Sequence, residues 1–85
     1  MHVMVVSTVS DEQGFWNAMK KAYGRLPAGA RWTVAVASAD GTRAVNVIVH
    51  NSIDEVRVFV EEWGGAFAAT EYFEADAENA VGLPA

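Results

Sequence analysis

The chain has 85 residues and no cysteine, and its six basic and eleven acidic side chains give a net charge of −5. An acidic chain with scattered basic residues does not attract phosphate backbones, so nucleic-acid binding is not expected. The lack of cysteine excludes disulfides, thiol nucleophiles and cysteine metal sites. We expect one domain over residues 1–85, in a cytoplasmic protein with neither a leader nor a membrane-spanning segment.

The first half of the chain predicts a strand, a helix and a second strand. Residues 2–9 are rich in β-branched side chains, which is typical of a short strand. A capping box from Ser10 to Gln13 opens a helix that runs to about Arg25. Residues 31–39 form the next strand. The buried face of the helix is predicted from side chains at helical spacing, which are Phe15, Met19, Ala22 and Leu26.

The second half repeats this order after a hairpin. Asp40-Gly41 between two apolar runs is a strong signal for a β-turn, and residues 43–50 form the third strand. A second capping box at residues 52–55 opens a helix that ends at Gly64-Gly65. Residues 68–76 predict strand four, with a tail over residues 76–85. The apolar stripe of this helix consists of Ile53, Val56, Val60 and Trp63.

The βαββαβ order predicts an α+β, ferredoxin-like fold with a four-stranded antiparallel sheet and two helices on one face. Strands one and three are expected side by side at the centre, parallel to each other, with strands two and four at the edges. The strands hardly alternate between polar and apolar residues, so both faces of the sheet read as buried. Two helices cover only one face, and a second copy of the chain is the simplest cover for the other.

The hairpin fixes which side chains share a face of the sheet. With Asp40-Gly41 as a two-residue loop, Ala35 lies opposite Asn46 and Ala37 lies opposite Ala44. One face is bulky and apolar and is expected to pack under the helices. It collects Val3, Val5, Trp32, Val34, Val36, Val45, Val47, Val49 and Phe73. The other face is smaller and more polar and is expected to be open and to border a ligand pocket. Its candidate site residues are Thr8, Thr33, Ala35, Asn46, Ile48, His50, Tyr72 and Glu74.

Four of these side chains could carry chemistry. His50 is a candidate general acid or base, because histidine titrates near neutral pH. Asn46 could orient a carbonyl or hydroxyl group, Tyr72 could donate to an oxyanion, and Glu74 is a further candidate base. Structural alternatives stay open for all four side chains. His50 could be a strand-end residue half in solvent, and Asn46 could be a buried amide bonded to backbone or water. Tyr72 could be an interface residue, and Glu74 could simply be solvated.

A metal or haem site is not expected. His2 and His50 are placed at opposite ends of the sheet, so they cannot share an ion within one subunit. The acidic run over residues 71–78 is divided between two faces by strand alternation, which argues against a calcium loop. No cofactor is therefore predicted, and whether the protein is an enzyme stays open.

The chain resembles the dimeric α+β barrel superfamily in its element order, its edge strands and its two-sided sheet. It is similar to a small-domain family of unknown function within it at Phe15, Leu26-Pro27, Trp32, Asp40-Gly41 and the Phe59/Trp63 helix. The resemblance implies a homodimer with a pocket in each sheet. The superfamily includes cofactor-independent monooxygenases, isomerases, polyketide cyclases and haem enzymes, so it implies no single activity.

Two functions follow as expectations. The first is a small-molecule binding protein or a cofactor-independent enzyme, whose pocket on the open sheet face holds a small, largely apolar, oxygenated molecule. The second is a non-catalytic dimerisation or protein-interaction module, in which the polar side chains only adjust the interface. Both include a homodimer or a higher assembly of the chain, with no nucleic acid and no membrane as partner.

Overall fold

The computed structural model describes residues 1–83 and shows a ferredoxin-like α+β fold with βαββαβ order. The elements are β1 (His2–Val9), α1 (Glu12–Tyr23), β2 (Arg31–Ala37), β3 (Arg43–Val49), α2 (Ile53–Gly64), β4 (Ala68–Glu74) and a 3₁₀ turn at Ala77–Asn79. The four strands form one antiparallel sheet in the order β2-β3-β1-β4, and both helices lie on one face of it. The last part of the predicted tail, residues 84–85, lies outside the described residues.

The central strands β1 and β3 run antiparallel, so the predicted parallel pairing is wrong. A crossover helix returns the chain, which makes β2 parallel to β1, and the β2–β3 hairpin then reverses β3. The predicted parallel pairing would place His50 beside Thr8, and the observed direction moves His50 to the opposite end of the sheet. The His50 N–H donates to the Met1 carbonyl at 3.0 Å, whereas Thr8 lies opposite Arg43.

The two helices begin at different kinds of cap. The predicted Ser52 cap of α2 is confirmed, since its hydroxyl accepts from the Glu55 N–H at 3.2 Å. At α1 the cap is Asp11, one residue after the predicted Ser10, and its carboxylate accepts from the Gly14 N–H at 3.0 Å. The Ser10 hydroxyl donates instead to the Phe67 carbonyl at 3.0 Å, which ties the start of α1 to β4.

The apolar stripes of both helices pack against the same face of the sheet, as predicted. Val3 and Val5 of β1 and Ile48 of β3 form the floor of this layer and are at most 1% exposed. The partly buried rings of Trp32 and Trp63 contact both halves of the core. From the helices, the buried side chains are Phe15, Met19, Ala22, Val56, Phe59 and Val60.

The faces predicted for β2, β3 and β4 are exchanged in the structure. The alternation of β1 is as predicted, with Val3 and Val5 buried. Val5, however, pairs with Asn46 and with Tyr72, so these two side chains also point toward the helices. The hairpin register itself is correct, because Ala35 lies opposite Asn46. What the sequence left unspecified is the long-range pairing between β1 and β3, and a shift of one residue exchanges the faces.

An irregularity in β2 explains why Trp32 is nevertheless under the helices as predicted. The register shifts between Trp32 and Val34, so that Trp32 rather than Thr33 lies opposite Ile48. An extra residue in one strand reverses the alternation beyond it. Trp32 therefore shares the helix side with Ala35, while Val34 and Val36 point to the other side of the sheet.

The hairpin turn is longer than predicted and is organised by one carboxylate. Ser38 and Arg43 close it through a 2.9 Å backbone hydrogen bond, and Gly41 takes a positive φ of 77°. One oxygen of Asp40 accepts from the Thr42 N–H at 3.0 Å, from the Thr42 hydroxyl at 2.7 Å and from the Ser38 hydroxyl at 2.8 Å. These hydrogen bonds, those from Thr42 first, lower the pKa of Asp40 to about 2.

The Asp40 turn predicts a defined pH dependence of stability. Because the folded pKa of Asp40 lies below its ordinary value of 3.8, the carboxylate stabilises the fold above that pH, and this contribution is lost as the pH falls toward 2. Thermal melts of Asp40→Asn should therefore show a lower Tm than wild type at neutral pH and a shrinking difference between pH 4 and pH 2. Glu62→Gln, which removes an exposed carboxylate of α2, is the control. A difference that persists at pH 2 would contradict this assignment.

Candidate functional site

The structure places most of the predicted site residues on one face of the sheet, as expected, but on the side that the helices cover. These are Ala35, Asn46, Ile48, His50, Tyr72 and Glu74. Thr8 lies on the opposite side, next to Arg43. Thr33 lies at the irregularity of β2, where its hydroxyl donates to the Val47 carbonyl at 3.2 Å. The predicted open-face pocket therefore loses most of its lining.

Asn46 is a buried amide at the centre of the sheet and is 1% exposed. Its Oδ1 accepts from the indole N–H of Trp32 at 3.1 Å, and the same N–H also donates to the Val34 carbonyl at 3.1 Å. Within the part of the chain that the structure describes, Asn46 Nδ2 has no hydrogen-bond partner. An unsatisfied buried donor costs about 1–3 kcal/mol, so this amide is an energetic defect in the isolated chain.

His50 is buried rather than half in solvent, and α2 supplies its partner. The side chain is 7% exposed, and its Nε2 contacts the Glu55 carboxylate in the first turn of that helix. A histidine paired in this way ties the end of β3 to the start of α2. The contact accounts for its position without a ligand.

Tyr72 also has its partners on α2. Its hydroxyl donates to the Glu61 carboxylate, and the Arg57 guanidinium lies over its ring at 5.4 Å from the centroid. Burial and, after it, the Glu61 contact raise the pKa of Tyr72 well above its ordinary value. The phenol thus stays protonated and acts as a hydrogen-bond donor.

The three candidate side chains do not converge on one point. Asn46 and Tyr72 lie on either side of Val5, which separates their backbones by two strand spacings, or about 10 Å. His50 lies at the end of β3, and its side chain contacts Glu55 rather than the other two. Each of the three is bound to a different neighbour, so the arrangement consists of three separate contacts, one within the sheet and two between the sheet and α2.

A cleft between α1 and the edge strand β2 was not anticipated from the sequence. Its volume is about 280 Å³, and it lies on the helix side of the sheet. It is lined by Trp16, Met19, Lys20, Tyr23, Trp32, Thr33, Val34 and Ala35. Two of the predicted ligand-binding residues, Thr33 and Ala35, line this cleft. The available signal was the spacing of Trp16, Lys20 and Tyr23, which forms a second stripe on α1 beside its core stripe.

The side of the sheet away from the helices, here called the open face, is apolar. Five of its large side chains are 37–52% exposed, and these are Met4, Val34, Val36, Val45 and Phe73. Val6, Val47 and Val49 lie between them on the central strands. Polar residues lie at the margins, with Thr8 and Arg43 at one end, His2 and Arg31 at the other, and Glu71 on the β4 edge. Such a surface offers contact area rather than acid–base chemistry.

The histidines are closer along the sheet than predicted, but they lie on opposite faces. His2 lies opposite Val49, and His50 follows Val49 at the same end, with its side chain on the helix side. Among residues 1–83, no group of three or more His, Cys, Asp or Glu side chains could hold a metal ion. No helix in that range is long and apolar enough to cross a membrane.

Comparisons with known proteins find no matching family model, no matching curated protein and no matching solved structure. The chain is therefore placed at the level of its fold, a ferredoxin-like α+β sheet with one open face. This fold serves many unrelated functions, so the surfaces of the chain indicate more about its function than the fold does.

The unpaired amide predicts an unusual response to substitution. Asn46→Leu keeps the branching of the side chain at Cγ and removes the unsatisfied Nδ2, while the Trp32 N–H keeps its bond to Val34. We expect the free energy of unfolding to stay level or to rise by about 1 kcal/mol in chemical denaturation. Asn46→Asp, which buries a charge at the same place, should be strongly destabilising. A loss above about 2 kcal/mol for the leucine variant would show that the amide has a polar partner.

Proposed function

We propose that this protein is a self-association module, a homodimer assembled through the open face, without a catalytic role of its own. The observation that carries the proposal is the exposure of five large apolar side chains on that face. Asn46, His50 and Tyr72, which could do chemistry, each bind a different neighbour on the helix side instead. A surface with this distribution supports contact with a protein more than conversion of a substrate.

The size of the open face fits such an interface. Four strands about 4.8 Å apart, each about seven residues long at roughly 3.4 Å per residue, give a flat footprint of about 450 Å². The largest apolar patches of monomers measure about 300–600 Å². Because side chains project from the sheet, the accessible area of the open face is larger than this flat footprint. It approaches the roughly 800 Å² that each partner contributes to a standard interface.

A second copy of the chain is the occupant that the surface favours. The open face carries arginines at both ends and a glutamate at one edge, so it offers both signs of charge to an identical face. The molecule is flat, with extents of 33 × 27 × 18 Å, and its core is a single layer between helices and sheet. A domain of this size buries only about 60–65% of its unfolded surface, and sheet-to-sheet pairing adds a second core.

Small-molecule binding is the second candidate, and the cleft between α1 and β2 is what favours it. Three of its eight lining residues are aromatic, and Lys20 supplies a positive charge. A small, flat, oxygenated aromatic molecule fits this lining, since rings pack on Trp and Tyr and an anionic group pairs with an ammonium. A pocket enclosed between two facing sheets would be a further place for a ligand in the dimer.

The dimer predicts a clear difference between two apolar surface positions. Wild type should sediment at twice 9.1 kDa at micromolar concentration. Phe73→Asp places a charge on the open face and should give a folded monomer. Val58→Asp is the matched control, because Val58 is 66% exposed on α2, away from the open face, and should leave the dimer intact. A wild type that stays monomeric, or equal effects of both changes, would refute the interface.

The cleft predicts ligand-dependent tryptophan fluorescence. Benzoate and phenol should quench the emission of Trp16 and Trp32 saturably, and Ala35→Phe should abolish this by filling the space. Ala37→Phe is the matched control, because Ala37 points to the same side of β2 but does not line the cleft. Both alanines are exposed, so neither change should lower the Tm strongly. Linear, non-saturating quenching in all three proteins would rule out a ligand site here.

A further inference from the structure

The open face is a regular grid of side chains, and one residue breaks its pattern. Strand pairing aligns the side chains in four rows across β2, β3, β1 and β4. The two middle rows are Val36–Val45–Val6–Glu71 and Val34–Val47–Met4–Phe73. The outer rows contain Arg43–Thr8–Ala69 and Arg31–Val49–His2. Glu71 is therefore the single charge in an otherwise apolar band.

Glu71 has no hydrogen bond or ion pair to any residue in the range 1–83 that the structure describes. An unpaired carboxylate that becomes covered by apolar side chains is costly, because it loses its hydration without compensation. In a dimer through the open face, the arrangement of the two copies decides whether this carboxylate meets a positive charge or an apolar side chain.

Two sheets with aligned strands can face each other about a two-fold axis in two ways. If the axis runs across the strands, each strand faces the same strand of the partner subunit, which runs in the opposite direction. Glu71 then lies over Phe73 of the partner subunit. If the axis runs along the strands, β4 faces β2 and β1 faces β3, each within its own row. The first arrangement places the carboxylate over a ring, far from any arginine of the partner subunit. The second places it over Val36 of the partner subunit at the edge of the sheet, with the basic end of the partner subunit's β3 one strand and one row away.

The spacing of the grid shows which arginine comes within reach. With the axis along the strands, Glu71 is offset from Arg43 of the partner subunit by one strand and one row, about 4.8 Å and 6.8 Å, across layers about 10 Å apart. Two long side chains that point toward each other span this backbone separation of about 13 Å. With the axis across the strands, the offset between Glu71 and Arg43 of the partner subunit within the plane of the sheet is already about 17 Å. Arg43 uses Nη1 for the Thr42 carbonyl at 3.2 Å and feels the charge of Asp40 in its own turn, and its other guanidinium donors make no hydrogen bond to residues 1–83.

We infer that Glu71 of each copy pairs with Arg43 of the partner subunit, and that this pair sets the strands of the two sheets in the same direction. The inference rests on the proposed dimer and names the charge contact that selects its arrangement. The pair occurs twice per dimer by symmetry, at the margins of the apolar band. Such contacts act mainly on specificity, since wrong arrangements leave the carboxylate opposite an apolar or like-charged group.

Charge reversal in separate chains tests the pair between subunits. Glu71→Arg and Arg43→Glu should each remain folded by circular dichroism and dissociate on the order of 100-fold more readily than wild type, because each places like charges together twice. An equimolar mixture of the two variants should recover a tight dimer, since every contact then joins opposite charges. Arg31→Glu is the matched control, and it should not rescue Glu71→Arg in the same mixture.

The outcomes separate this inference from the dimer itself. A monomeric wild type would remove the proposed function and the charge pair together. A dimeric wild type whose Glu71→Arg variant stays dimeric, or whose mixed variants fail to recover, would leave the dimer standing and refute the pair. Rescue by Arg31→Glu instead of Arg43→Glu would assign Glu71 to the other end of the partner's open face and overturn the arrangement.

Discussion

The structure depends on one geometric constraint, which is that the two helices cover only one face of the sheet. Helix and sheet form a two-layer molecule 18 Å thick, with the core in the single space between the layers. Most domains of this type keep the uncovered face polar, and their strands then alternate between polar and apolar residues. Here Val45 and Val47 point away from the helices while Asn46 points toward them. The apolar excess of the chain is thus concentrated where its own helices do not reach.

The helix side, by contrast, pairs most of its polar groups internally, and among the described residues Asn46 Nδ2 is the exception. Trp32 donates to Asn46, Tyr72 donates to Glu61, His50 contacts Glu55, and the hydroxyls of Ser7 and Thr70 share a hydrogen bond of 2.8 Å. Two of these four contacts join the sheet to α2 and two join neighbouring strands, and together they fix the layers and the strands in one register. Polar residues that read as a catalytic set in the sequence are therefore explained as connections within the fold.

Local patterns predicted more of this structure than long-range ones. The bounds of β1, the Ser52 cap, the core stripes of both helices and the pairing of Ala35 with Asn46 all depend on residues close together in the chain, and all were derivable. The pairing of β1 with β3 joins residues more than thirty positions apart. No local signal determines whether this pairing is shifted by one residue, and such a shift exchanges the two faces of the strand. The bulge in β2 is also silent in the sequence, because Trp32-Thr33-Val34 fits a regular strand equally well.

The side of the sheet on which the candidate site lies depends on this pairing, whereas the grouping of its residues on one face does not. The residues therefore share a face, but that face lies under the helices. Ala35, Asn46 and Tyr72 share a face whichever side of the sheet it is. On the helix side, Trp32 lies between the cleft and the amide, since its ring lines the one and its N–H binds the other. A ligand in the cleft therefore contacts the indole and reaches Asn46 only if that ring moves. Chemistry at the amide would require breaking a packed contact of the core, whereas association through the open face requires no rearrangement of the fold.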